Sequence, residues 1–288
     1  MSISRLCLGT AKLGMPWYGA GSVSWPGSAE IEAILRCAFA GGIRWFDTAA
    51  AYGDAEDWLT HVLPAEDCRF VTKVSPALAR LGALADKLDG WQHVLLHNLT
   101  LEDVTSAWAA TVGLSISYAQ RVGVSVYDPA ETDQCVARGW RIVQVPYCLL
   151  DRRHELAMRE ARQRGVVIFA RQPFLQGLLT NGMISAAAAA MRRDGRLLAS
   201  AIGFWYAMGE CCERHGLSRV EACLRFALDA PADYVVFGVG SVAHLEEILA
   251  VASREPPEAW PACRDELLRF AALVPPVTLS SLWKRGLI

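Results

Sequence analysis

Eight short, continuous apolar runs punctuate this chain, and they restrict its fold more than any other feature. The runs are Leu6–Leu8, Ile43–Phe46, Phe70–Val74, His93–Leu96, Val122–Val126, Ile142–Val145, Val166–Ala170 and Tyr234–Phe237. Each is too short for a helix and none alternates strictly with polar residues, the pattern of strands buried on both faces of a parallel sheet. Segments of helical period lie between them. Ile31, Ile34, Leu35, Ala38 and Phe39 form one apolar face, with Ser28 placed to cap that helix and Gly41-Gly42 to end it. After the fifth run, Asp128 is placed to cap, Pro129 suits the first helical position, Glu131 completes a capping box and Gly139 closes the helix. Alternating strands and helices admit a closed (β/α)8 barrel or an open doubly wound sheet. Eight repeats with no long break in the first seven favour the barrel, and a single (β/α)8 TIM barrel domain over residues 1–288 is expected.

Composition removes several other classes. Apolar residues make up 53% and charged residues 20%, enough for a large core and contrary to disorder. The net charge of −2 gives no reason to expect a nucleic acid or a membrane surface as partner. No run approaches the roughly 18 apolar residues of a membrane helix, and no secretory pattern opens the chain. The nine cysteines are dispersed, only Cys211 and Cys212 are adjacent, and none has zinc-like spacing to a second ligand. The expectation is a cytoplasmic protein with reduced thiols and no metal, a monomer or small homo-oligomer. The long interval between Ala170 and Tyr234 holds an alanine run (Ala186 to Ala190) and expected helices around Phe204–His215 and Arg219–Leu228. In a barrel that interval lies at the C-terminal face, where active sites are built.

Polar residues at the C-terminal ends of the strands are therefore the candidates for chemistry. They are Asp47, Lys73, His97, Ser125 and Gln144, with Tyr52 following Asp47 closely. Lys73 is the most informative, because an unpaired ammonium inside an apolar strand costs several kcal/mol. It needs a partner, and Asp47 on the adjacent strand is the natural one.

The segment Asp47-Thr48-Ala49-Ala50-Ala51-Tyr52-Gly53, the pair Thr72-Lys73 and Leu95-Leu96-His97 resemble the catalytic tetrad motifs of aldo-keto reductases, in family order. Gly9-Thr10, Gly123-Val124-Ser125, Gln144-Val145-Pro146-Tyr147 and Leu175-Gln176-Gly177-Leu178-Leu179 extend the resemblance along nearly the whole chain. Val126-Tyr127-Asp128-Pro129 and the stretch from Phe174 resemble bacterial members found in surface-polysaccharide and specialised biosynthetic pathways.

The resemblance implies an NAD(P)H-dependent oxidoreductase that reduces an aldehyde, ketone or keto-sugar. Tyr52 would be the general acid, Lys73 would lower its pKa from about 10, Asp47 would hold Lys73, and His97 would orient the carbonyl. Hydride would come from NADPH or NADH. The resemblance places the cofactor against Gly9, Thr10, Ser125, Gln144, Arg171, Phe174, Gly238, Gly240, Ser241, His244 and Glu247. Here Val126 stands where the family usually carries asparagine, Arg171 where an aromatic residue often stacks on the nicotinamide, and Ile248 where asparagine lies near the adenine. Members that select the 2′-phosphate of NADP commonly place basic residues in the loop after the last strand, whereas this chain offers Val239, Gly240 and His244. Aromatic residues in the first loop (Trp17, Tyr18, Trp25) and the seventh (Phe204, Trp205, Tyr206) are candidates for substrate contact or for loop packing; Trp17, Tyr18, Trp25 and Trp205 are taken as the substrate set. The alternative is a non-redox acid/base enzyme (dehydratase, cyclase or epimerase) working with the same tetrad.

Overall fold

Each apolar run is a strand, and alternation within it decides what the barrel encloses. The computed structural model describes residues 2–15, 25–77, 87, 89–112, 120–182 and 195–275. Its strands are β1 (Leu6–Gly9), β2 (Trp45–Asp47), β3 (Arg69–Val74), β4 (His93–His97), β5 (Val122–Ser125), β6 (Ile142–Pro146), β7 (Val167–Arg171) and β8 (Tyr234–Gly238). All pair in parallel in chain order, and β8 returns to β1 through Gly9 opposite Gly238, so the sheet is a closed barrel. It begins two residues later in β2 than the apolar run does. Ile43 is used to finish the preceding helix, its amide donating to Ala38 O, after Gly42 turns the chain at φ +91°.

Side chains on a strand point alternately to its two faces. Cys7, Val71, Leu95, Ile142, Phe169 and Val236 pack with Trp45, Val167 and Tyr234 as an apolar plug inside the barrel. Their neighbours Leu6, Leu8, Phe46, Leu96, Val124 and Ile168 face outward into the larger core under the helices. Two residues further along each strand the inward position recurs, at Gly9, Asp47, Lys73, His97, Ser125, Gln144, Arg171 and Gly238. Six of these eight are polar. An apolar floor beneath a polar mouth is thus written in the register of the strands.

The helices follow the expected signals closely. They are α1 (Ser28–Ala40), α2 (Ala55–Val62), α3 (Leu101–Val112), α4 (Pro129–Arg138), α5 (Glu155–Gln163), α6 (Gly195–Arg214), α7 (Arg219–Leu228), α8 (Val242–Ala252) and α9 (Trp260–Ala271). In α4 the capping box of Asp128 and Glu131 forms, and Gly139 ends the helix in the left-handed conformation at φ 102°. In α1 Gly27 is the capping residue and Ser28 the first helical one, a shift of one position from the expectation. The long seventh interval carries α6 and α7. Helix α6 starts earlier than Phe204, because Ala201, Phe204, Trp205, Met208, Cys211 and Cys212 continue one buried face along it. The alanine run lies outside the described residues.

Candidate active site

The polar mouth is organised around one buried ion pair. Lys73 is 2% exposed, and its Nζ donates to Asp47 Oδ1 at 2.6 Å and to the Thr48 carbonyl at 2.7 Å. Asp47 Oδ2 accepts from Gln144 Nε2 at 2.7 Å, and Gln144 Oε1 accepts from Ser125 Oγ at 3.4 Å. The Asp47 carbonyl is held by the amide and hydroxyl of Thr10, at 2.9 and 3.1 Å. A buried charge pair is tolerated only where further hydrogen bonds satisfy it, and here the Thr48 carbonyl and the Gln144 amide supply them. The partner of Lys73 inferred from the sequence is the one found.

Tyr52 reaches this pair from the loop between β2 and α2. Lys73 Nζ lies over its ring, 5.0 Å from the centroid, and the His97 ring meets it edge-on at 6.0 Å. Two glycines set the loop: Gly53 turns it at φ +54°, and a Cβ on Gly14 would overlap the Tyr52 carbonyl oxygen. The four residues of the tetrad motifs, separated by 50 positions in sequence from Asp47 to His97, thus converge on one side of the barrel mouth.

The electrostatics depart from expectation at Tyr52. Burial first, and then the Asp47 carboxylate, push its hydroxyl above the ordinary value, with Arg171 opposing them. The expected lowering by Lys73 is not what this arrangement produces, because the ammonium is committed to Asp47 and Thr48 and faces the ring. His97 moves the other way: burial, then Lys73 and Arg171, bring it down to about 3. Its imidazole is neutral across the physiological range and able to donate one hydrogen bond.

The residues expected to contact a cofactor fall into two groups. Ser125 and Gln144 are neighbours in register on β5 and β6 and are buried at the mouth, with donors and acceptors suited to a carboxamide. Arg171 is 7% exposed; its guanidinium lies 4.2 Å over the Tyr127 ring and donates to Val126 O. Phe174 is part-buried against the core just after β7. Gly9 and Gly238 lie side by side, and a Cβ at Gly238 would meet only Gly9 O, at 3.8 Å, so backbone is openly accessible there. The second group lies at the start of α8, where Ser241 Oγ accepts from the His244 amide and His244 itself is exposed. Gly240 precedes that cap. The first amide of α8, Val242 N, donates to the Glu30 carboxylate at 2.8 Å. Glu247 accepts from Ser218 Oγ and borders a cavity of about 540 Å3 shared with Tyr206, Glu210 and Arg219. Ser125 and Gln144 at the mouth thus present polar groups suited to a carboxamide, whereas the Glu30 carboxylate occupies the first amide of α8.

Of the aromatic candidates, Trp17 and Tyr18 lie outside the described residues. Trp25 is 40% exposed and donates through Nε1 to Leu13 O. Trp205 is 8% exposed, donates to Thr180 O and is covered by the Arg219 guanidinium at 3.9 Å, so it packs the helices of the seventh interval. Two residues of the site escaped the sequence reading. Tyr127, which carries Arg171, stands two positions beyond β5 and was read only as part of the Val126–Pro129 stretch, with no role of its own. Glu30 sits in the first turn of α1, 212 positions from the amide it binds, and no local signal connects them.

The family model described as the aldo/keto reductase family matches residues 5–113 and 118–262, and this chain belongs to that family. Among solved structures it is similar to the glycerol dehydrogenase AKR11B4 from Gluconobacter oxydans, at TM-score 0.71 and 19% identity over 96% of this chain and 94% of that one. It is also similar to the aldo-keto reductase AKR11C1 from Bacillus halodurans, at TM-score 0.70 and 19% identity over 93% and 92% of the two chains. No curated protein matches the sequence. The family membership implies an oxidoreductase acting on small carbonyl compounds. No helix among the described residues is long and apolar enough to cross a membrane.

Proposed function

We propose that this protein reduces an aldehyde, ketone or keto-sugar, with Tyr52 delivering the proton and His97 orienting the carbonyl oxygen. The observation that carries this reading is the position of Lys73 Nζ, 2.6 Å from Asp47 Oδ1 and 5.0 Å from the Tyr52 ring centroid. A nicotinamide cofactor, when bound, supplies the hydride. Everything else is done by the chain. A buried phenol that holds its proton is a donor, and its conjugate phenolate is stabilised only as charge develops beside the ammonium. His97 is neutral, so it offers a hydrogen bond without competing as an acid. Ser125 and Gln144 would hold the carboxamide of that cofactor.

NADH is the better fit of the two cofactors. An anion at the start of α8 would meet the Glu30 carboxylate already bound to Val242 N, and no basic side chain of the loop offsets it. A 2′-phosphate brings that charge and a 2′-hydroxyl does not. The test is a titration of the protein with NADH and NADPH followed by tryptophan fluorescence, then oxidation of the tighter one by an aldehyde. Saturable NADH binding with turnover supports both statements. Binding of neither cofactor removes the hydride reading and leaves the non-redox acid/base alternative; tighter NADPH binding removes only the preference.

A further inference from the structure

Cysteines that are dispersed in the sequence meet at the interface of α6 and α9, outside the barrel mouth. Cys211 lies in the last turn of α6 and His215 just past its end, four positions on, while Cys263 and Glu266 are three apart on one face of α9. Cys211 Sγ, a His215 ring nitrogen and a Glu266 carboxylate oxygen all lie within 4.8 Å of one another. Cys263 Sγ is 3.7 Å from Cys211 Sγ, and His215 Nε2 is 3.3 Å from Glu266 Oε2.

Those two separations match a specific geometry. Two sulfurs bound to one zinc at about 2.3 Å lie about 3.8 Å apart in a tetrahedron, and nitrogen and oxygen ligands at about 2.0–2.1 Å lie about 3.4 Å apart. Thiolate, imidazole and carboxylate together are a donor set that suits zinc. We propose that Cys211, His215 and Glu266 bind one zinc ion that staples α9 to α6; Cys263, beside Cys211 but not within 4.8 Å of all three, completes the set by a shift of its side chain. The two cysteines are buried, while His215 and Glu266 are about one-fifth exposed in their side chains (21% and 18%), which gives the ion a route in from one side. Arg214 is compatible with this arrangement. It grips both oxygens of Glu266 from the solvent side, Nη2 on Oε1 at 2.6 Å and Nη1 on Oε2 at 3.1 Å, while Oε2 also faces His215 Nε2 at 3.3 Å. The clamp orients the ligand carboxylate as outer hydrogen bonds do in metal sites. Binding displaces the thiol protons to solvent. No residue of the site belongs to the Tyr52–Lys73 centre, and the site does not depend on the carbonyl-reducing function.

The experiment uses the full chain, kept reduced with a phosphine and stripped of metal. Zinc is titrated against a chromophoric chelator, and cobalt(II) is added separately as a spectroscopic substitute. One high-affinity zinc per chain, a sulfur-to-cobalt charge-transfer band and a zinc-dependent rise in melting temperature are expected. His215→Ala and Cys211→Ser should each weaken zinc binding by roughly tenfold or more, while Cys37→Ser should not. Failure of the unsubstituted protein to bind zinc or to give the cobalt–thiolate band overturns the proposal. So does unchanged zinc affinity in a folded His215→Ala variant.

Discussion

Gln144 Nε2 donates to Asp47 Oδ2 across the inside of the barrel at 2.7 Å, joining the sixth strand to the second. With Lys73 on Oδ1, both carboxylate oxygens are held. A side chain that suits the cofactor carboxamide therefore also orients the carboxylate that orients the lysine. Gln144→Leu is expected to lower kcat as well as cofactor affinity. Leaving a buried Oδ2 unpaired should also cost about 1–3 kcal/mol of stability. Single-turnover kinetics at saturating cofactor separate the two effects; an unchanged rate there would confine Gln144 to cofactor binding.

Tyr52→Phe should reduce turnover by roughly 10^2–10^4-fold, the usual worth of a general acid, while leaving the Kd for NADH near that of the parent protein. Normal turnover in this variant would mean that another group supplies the proton. Lys73→Met is expected to be at least as damaging to turnover and, in addition, to destabilise the fold by about 3–5 kcal/mol, since Asp47 is left charged and buried. A Lys73→Met protein with an unaltered pH–rate profile would separate Lys73 from the chemistry of Tyr52.

Glu30→Gln keeps a side-chain oxygen available to the Val242 amide but removes the charge. NADPH affinity should rise relative to NADH by roughly 5–50-fold, the equivalent of about 1–2 kcal/mol at a partly exposed helix end. Isothermal titration with both cofactors reads the ratio directly. Parallel changes for the two cofactors would show that the carboxylate does not face the 2′ position.

His154 is fully buried, between Thr132 Oγ1 and the Tyr127 carbonyl, and burial brings its pKa down from 6.5 to about 4. Between those values the unfolded chain binds a proton that the folded one refuses. Stability is therefore complete above about pH 6.5 and falls as pH drops toward 4, by up to about 3 kcal/mol from this residue alone. His93, brought down to about 4, and His97, brought down to about 3, act in the same direction. Urea denaturation across this window should show the loss, and His154→Gln should flatten it. An equal slope in that variant would assign the acid sensitivity elsewhere.

The strands were legible because burial on both faces leaves an uninterrupted apolar signal, and all eight runs formed. The Lys73–Asp47 pair was legible for a related reason, since a lysine in such a run must find a counter-charge nearby. Signals of one helical turn or less, such as Asp128 with Glu131, also read correctly. Boundaries were less so: Ile43 finishes the helix end, and the strand starts only at Trp45. Trp205 could be read as substrate-facing or as packing until its partners Thr180 and Arg219 were placed.

The sequence by itself determined the barrel and the order of the tetrad along it, because strand period and charge burial are local constraints that a short stretch can express. Tertiary structure alone decided the rest. The pKa of Tyr52 is set by its burial and by Asp47 and Arg171 around it, Glu30 finds Val242 only after the barrel has closed, and Cys211 meets Cys263 only where α9 packs on α6. Each of these is a through-space interaction between residues far apart in the chain. Electrostatic energy and metal geometry depend on distance in space, and only the fold sets that distance.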